Sequence, residues 1–94
     1  MLTLQVQNLR RSALEYNTTG ASNTAVGYQA LKDNTTAANN TAVGYQAGYA
    51  NTTGASNTFV GKGSASLVTT GSNNTVLGRY DGNQGGLDIR TSSN

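Results

Sequence analysis

The string N-T-A-V-G-Y-Q-A stands at 23–30 and again, unchanged, at 40–47. Asn57-Thr58-Phe59-Val60-Gly61 and Asn74-Thr75-Val76-Leu77-Gly78 restate its opening, so the starts 23, 40, 57 and 74 are each 17 residues apart. Asn17-Thr18-Thr19, Asn34-Thr35-Thr36 and Asn51-Thr52-Thr53 fall in a second column, continued by Thr69-Thr70, and Ala13-Leu14 lies 17 before Ala30-Leu31. A fixed period marks an architecture built by stacking one unit on the next. Five units can be laid out, 6–22, 23–39, 40–56, 57–73 and 74–90, the first and last degraded as terminal repeats often are.

A 17-residue unit is too short for helix-pair repeats, which need roughly 33 residues, and for leucine-rich repeats of about 20–29. One coil of a β-solenoid remains, rising about 4.8 Å per turn, so that five coils stand roughly 24 Å tall. Within each unit, Thr24-Ala25-Val26 and its copies read as a short strand. Thr and Val then share one face and Ala takes the other, because side chains alternate along a strand. The glycine that follows suits a turn. A second strand is predicted over 34–36, and Asn at the corners tolerates left-handed angles and can stack as a hydrogen-bonded ladder. The residues expected to carry the repeat are Asn23, Val26 and Gly27; Asn40, Val43 and Gly44; Asn57, Val60 and Gly61; and Asn74, Leu77 and Gly78.

Such a column is thin. Its recurrent apolar residues are one Val, about two Ala and an occasional Leu per unit, and the chain has one Phe, no Trp and no Cys. Ordering each residue costs about 1–2 kcal/mol of backbone entropy, against about 25 cal/mol per Å² of apolar surface buried. Small domains usually add disulfides, a metal or further subunits. Without Cys or His, and with four acidic residues, disulfides are excluded and no metal or cofactor is expected. Several copies sharing one axis is the remaining route. Abundant Asn, Thr and Gly with no Pro and a net charge of +2 fits stacked turns better than disorder.

The same composition narrows function. Six basic residues, scattered, predict no nucleic-acid partner. No apolar run is long enough to cross a membrane as a helix, and 1–12 has no apolar signal region, so export without a signal or a place within a longer chain is expected. Nucleophile–base pairs built on His or Cys are impossible, and Glu15, Asp33, Asp81 and Asp88 are dispersed; no catalytic residue is expected and the protein is read as a non-enzyme. Gly61-Lys62-Gly63-Ser64 lacks phosphate-loop spacing. The N-x-[ST] sites at Asn17, Asn34, Asn51, Asn39 and Asn73 follow from an Asn- and Thr-rich repeat. Stacked Thr columns raise ice binding, but the doubled Thr-Thr pair puts its hydroxyls on opposite faces. Tyr28, Gln29, Tyr45 and Gln46 follow the glycine turn and are the candidate surface-contact residues, for sugar rings, for a protein receptor or for a neighbouring protomer.

The string N-T-A-V-G resembles the repeat of trimeric autotransporter adhesin (YadA-like) heads. Asn23-Thr24-Ala25-Val26-Gly27-Tyr28-Gln29-Ala30-Leu31 followed by Asn34-Thr35-Thr36 is still more similar to repeats of phage tail fibres, and "GNQGGLDIRTSSN" at 82–94 resembles the segment that follows them. The resemblance covers about residues 13–94 and implies an all-β, left-handed parallel β-roll in a homotrimer. It implies that one strand face fills the protomer and the other approaches the threefold axis, without saying which. Phe59 and Val76 depart from it by occupying the Ala column, so the packing is expected to widen or shift there; Lys62-Gly63 and Arg79-Tyr80 replace Tyr28-Gln29. Met1 to Val6 alternates like an extra strand.

The expected layout is an N-terminal strand or cap and degenerate first coil over 1–12, solenoid repeats over 13–80, and a degenerate last coil with a tail over 81–94. The expected function is a rigid spacer and receptor-binding segment of a trimeric surface fibre, on a virion tail or otherwise at a cell surface or outside the cell. A host-surface glycan or protein is the expected receptor. A filament subunit stacking head to tail is the alternative, ahead of an ice-binding solenoid.

Overall fold

The structure, a computed structural model, describes residues 12–84 and 87–93. The expected strand over 1–6 and the start of the first unit lie outside these residues. The described chain is all-β, with no helix. Strands β1 (Thr24–Val26), β2 (Thr41–Val43), β3 (Thr58–Val60) and β4 (Thr75–Leu77) form one parallel sheet in chain order, the arrangement a β-solenoid requires. The register is that of the repeat: Thr24 pairs with Thr41 and Val26 with Val43, then Val43 with Val60 and Val60 with Leu77. Two further strands, β5 (Asn83–Gln84) and β6 (Leu87–Asp88), pair antiparallel.

Thr and Val favour extended backbone because their branched Cβ is stiff at χ1. Each strand ends after three residues at a glycine: Gly27, Gly44, Gly61 and Gly78 have φ of 126°, 134°, 131° and 102°, angles that L side chains rarely adopt. Space makes the same demand. A Cβ on Gly27 would lie 2.7 Å from the Gly44 carbonyl oxygen, and one on Gly44 would lie 2.5 Å from that of Gly61.

Past the glycine the chain makes consecutive tight turns. The amides of Ala30, Lys32 and Asn34 donate to the carbonyls of Gly27, Gln29 and Leu31. Gln29 (φ 62°) and Leu31 (φ 51°) are left-handed, which is the type II signature at the third turn position. The next repeats keep the pattern with Gln46, Gly48, Gly63 and Ala65. The second strand expected over 34–36 is not formed: Asn34 is irregular and Thr35 and Thr36 are bends. Three successive amides, of Thr18, Thr19 and Gly20, converge on the single Thr35 carbonyl at 2.9–3.3 Å, which alternating strand geometry does not allow. The Asn34 side chain closes the bend locally by donating to the Ala37 carbonyl at 3.0 Å.

The interior is the Ala face of the strands. Ala42 and Phe59 are 0% exposed and Val76 6%, and they pack with Ala30, Leu31, Ala47, Ala65 and Val68. The larger Phe59 and Val76 stay within this core, and small residues stand opposite them. Opposite the strand column Ala25, Ala42, Phe59, Val76 runs the column Leu14, Leu31, Gly48, Ala65. Leu accompanies Ala in the upper repeats, and Gly and Ala accompany Phe and Val in the lower ones. A Cβ on Gly48 would lie 2.8 Å from Phe59 Cδ2 and 2.9 Å from Leu31 Cδ2, so these two side chains fill the space that Gly48 leaves.

Two asparagine ladders run along the stack. In the first, Asn34 Nδ2 donates to Asn17 Oδ1 and Asn51 Nδ2 to Asn34 Oδ1, both at 3.0 Å. In the second, the amides of Asn40, Asn57 and Asn74 donate to the Oδ1 of Asn23, Asn40 and Asn57 at 2.9 Å. Asn34, Asn40, Asn51 and Asn57 are fully buried, so these bonds offset a large desolvation cost. The first ladder stops at Val68, the next residue in its column, which leaves Asn51 Oδ1 buried and unpaired.

At the C-terminal end the count changes. Thr52 Oγ1 donates to a carbonyl 17 residues ahead, whereas Thr69 Oγ1 donates to Arg90, 21 ahead. Ala55 N reaches Ser72 Oγ at a separation of 17, and Ser72 N reaches Ser93 Oγ at 21. Asn57 Nδ2 reaches Gly71 O at a separation of 14, and Asn74 Nδ2 reaches Ser92 O at 18. All three comparisons show the same four-residue offset, and the β5–β6 hairpin lies within the interval.

Candidate functional site

Two surfaces emerge from this frame. The first is the outer face of the four-stranded sheet. Because inner and outer side chains alternate, burying Ala42, Phe59 and Val76 turns Thr24, Val26, Thr41, Val43, Thr58, Val60, Thr75 and Leu77 outward. Val26, Val43 and Val60 are each 38% exposed and Leu77 is 72%. They are directly paired in the sheet, so they form one continuous apolar stripe beside a row of threonines. The expected repeat residues therefore divide by role: the valines and Leu77 face out, the glycines make the turn, and the asparagines tie repeat to repeat.

The second surface is the corner after the glycine turn, where the four expected contact residues meet. The Tyr28 and Tyr45 rings stack with centroids 5.7 Å apart and planes 15° apart. Gln46 Nε2 donates to Gln29 Oε1 at 2.7 Å. Tyr45 is 46% exposed and the other three are half-buried. Gln29 and Gln46 share left-handed backbone angles, and their side-chain amides bond to each other from one repeat to the next.

Further residues join this corner without having been expected in it. Lys62, one repeat below Tyr45, places its Nζ 5.8 Å from the Tyr45 ring centroid, a favourable cation–π distance. Arg79 continues that column. Their signal was the substitution of Lys and Arg for Tyr. On a neighbouring part of the surface, Lys32 Nζ sits 5.7 Å from the Tyr16 ring and 5.5 Å from the Tyr49 ring. Desolvation acts to lower its pKa, but the electrostatic contributions of Tyr49, Tyr16 and Glu15 leave it above its ordinary value.

Among the described residues no group of three or more His, Cys, Asp or Glu is placed to hold a metal ion, and no helix is long and apolar enough to cross a membrane. Comparison with protein-family models, curated proteins and solved structures finds no match.

Proposed function

We propose that this chain is a structural and adhesive segment of a trimeric surface fibre, with the tail fibre of a virion as its best-fitting setting. Three copies, each a left-handed β-roll, bring their Thr/Val sheet faces to a common axis. The observation that carries this reading is the flat row of Val26, Val43, Val60 and Leu77, held in register and open to water. Such contiguous apolar surface on a soluble chain marks an association site. Joining three faces removes it from water and adds the core that each column lacks. The corner of Tyr28, Gln29, Tyr45 and Gln46 lies on another part of each repeat, past the glycine turn, and stays available for a receptor.

Sedimentation equilibrium tests the assembly. A mass of three times the 9.7 kDa chain supports it, and a folded monomer at micromolar concentration overturns it. A head-to-tail filament is the second reading. It is favoured by β4, which lies at the edge of its sheet with no partner strand on its outer side among the described residues and offers free backbone groups for pairing. Unlimited fibres in electron micrographs, in place of short rods, select it.

A further inference from the structure

The corner ladder changes chemistry partway down. The column Tyr28, Tyr45 becomes Lys62, Arg79, and the column Gln29, Gln46 loses its side chain at Gly63. Gly63 has φ 69°, and a Cβ built on it meets nothing within 4 Å. A cleft of about 210 Å³ opens at this point, with Gly63 in its lining. Its walls are formed by Tyr45, Gln46, Ser66, the cationic Lys62 and Arg79, and the acidic Asp81.

The wall is partly preorganised. Asp81 N donates to Gln84 Oε1 at 3.0 Å, Asn83 N donates to Asp81 Oδ1 at 2.8 Å, and Leu67 N donates to the Asp81 carbonyl at 2.8 Å. The inserted hairpin that breaks the 17-residue count begins at Asn83. Loss of a side chain at Gly63 and gain of a hairpin at 83–88 thus meet at one place.

We infer that this cleft binds one acidic sugar residue, a pyranose carrying a single carboxylate, displayed on a surface glycan. Arg79 and Lys62 match the carboxylate, which Arg can take through two parallel hydrogen bonds. Asp81, Gln46 and Ser66 supply the mixed acceptors and donors that sugar hydroxyls need. Tyr45 offers a ring with an apolar body and a polar tip. The volume is below the roughly 300–1,000 Å³ of drug-sized sites, which suits one ring. A bare inorganic anion fits less well, because the Asp81 carboxylate shares the space. The proposal deepens the fibre reading and rests on it for its biological setting.

Calorimetric titration of the full chain with N-acetylneuraminate, D-glucuronate, glucose and inorganic phosphate tests it. The acidic sugars should bind at least about tenfold more tightly than glucose, and phosphate should not displace them. Gly63→Gln continues the Gln29–Gln46 ladder at an angle those residues already hold (φ 62° and 57°). It should keep the fold, plug the cleft and weaken acidic-sugar binding by about tenfold or more. Arg79→Gln, at an exposed position, should erase the preference for acid over glucose. Absence of acidic-sugar binding by the native chain overturns the proposal, as does undiminished binding by Gly63→Gln or equal competition by phosphate. Solution mass measured on the same samples separates the two readings: an intact trimer without sugar binding refutes the cleft alone, and a sugar-binding monomer refutes the trimer alone.

Discussion

Exchanging the sizes of residues 48 and 59 tests how the core is built. Gly48→Leu alone places a Cβ 2.8 Å from Phe59 Cδ2 and 2.9 Å from Leu31 Cδ2. Overpacking of that kind costs about 1–3 kcal/mol, and a left-handed non-glycine residue adds about 1–2 kcal/mol. Phe59 is fully buried, so Phe59→Ala alone costs about 3–5 kcal/mol. Simple addition gives roughly 5–10 kcal/mol, comparable with the whole stability of a small domain. The double variant, however, recreates an arrangement the chain already uses, Leu31 accompanied by Ala strand residues, and Leu31 itself holds φ 51°. It should therefore cost only about 2–3 kcal/mol, giving a favourable coupling of about 2 kcal/mol or more. Urea unfolding followed by far-ultraviolet circular dichroism, at one fixed protomer concentration, measures all four proteins. Additivity within about 0.5 kcal/mol refutes the size-exchange argument, as does a double variant less stable than both single ones.

Two further substitutions probe the ladders. Asn40→Ala removes the acceptor at 2.9 Å for the Asn57 amide in a buried site; a loss of about 2–3 kcal/mol is expected, read as a lower urea midpoint. Val68→Asn offers a donor to the unpaired Asn51 Oδ1, a gain of about 1–3 kcal/mol set against the loss of about 1.5–3 kcal/mol of Val burial. The net change should lie within about 2 kcal/mol of zero; a loss of stability well beyond that, as for an ordinary unpaired polar group placed in a core, contradicts the ladder account.

The stacking register was legible because the period is free of insertions between Asn23 and Gly78, and a parallel sheet with in-register partners follows from it. The exposed face was not legible. Alternation separates Ala from Thr and Val, but Ala and Val are both apolar enough to be interior, and the choice was settled by burial of Phe59 and Val76 in the Ala column. The column Leu14, Leu31, Gly48, Ala65 carried the matching signal, visible only when read against the strand column. The strand expected over 34–36 failed because paired threonines have strand propensity, while the convergence of three amides on the Thr35 carbonyl is a tertiary choice that propensity does not encode. At the corner, Tyr28, Gln29, Tyr45 and Gln46 were found through repetition. Lys62, Arg79 and Asp81 were not grouped with them, because the cleft depends on a departure from the repeat at Gly63 and on an insertion that the tail sequence does not advertise.

Chain-filtered NMR tests the central claim most directly. Protein mixed from ¹³C-labelled and unlabelled chains and reassembled reports contacts between different copies only. The account predicts cross-peaks between the methyl groups of Val26, Val43 and Val60 on one chain and those on another, with none from Tyr45. An empty chain-filtered spectrum, recorded while Val43 and Val60 of one chain still contact each other, would contradict it.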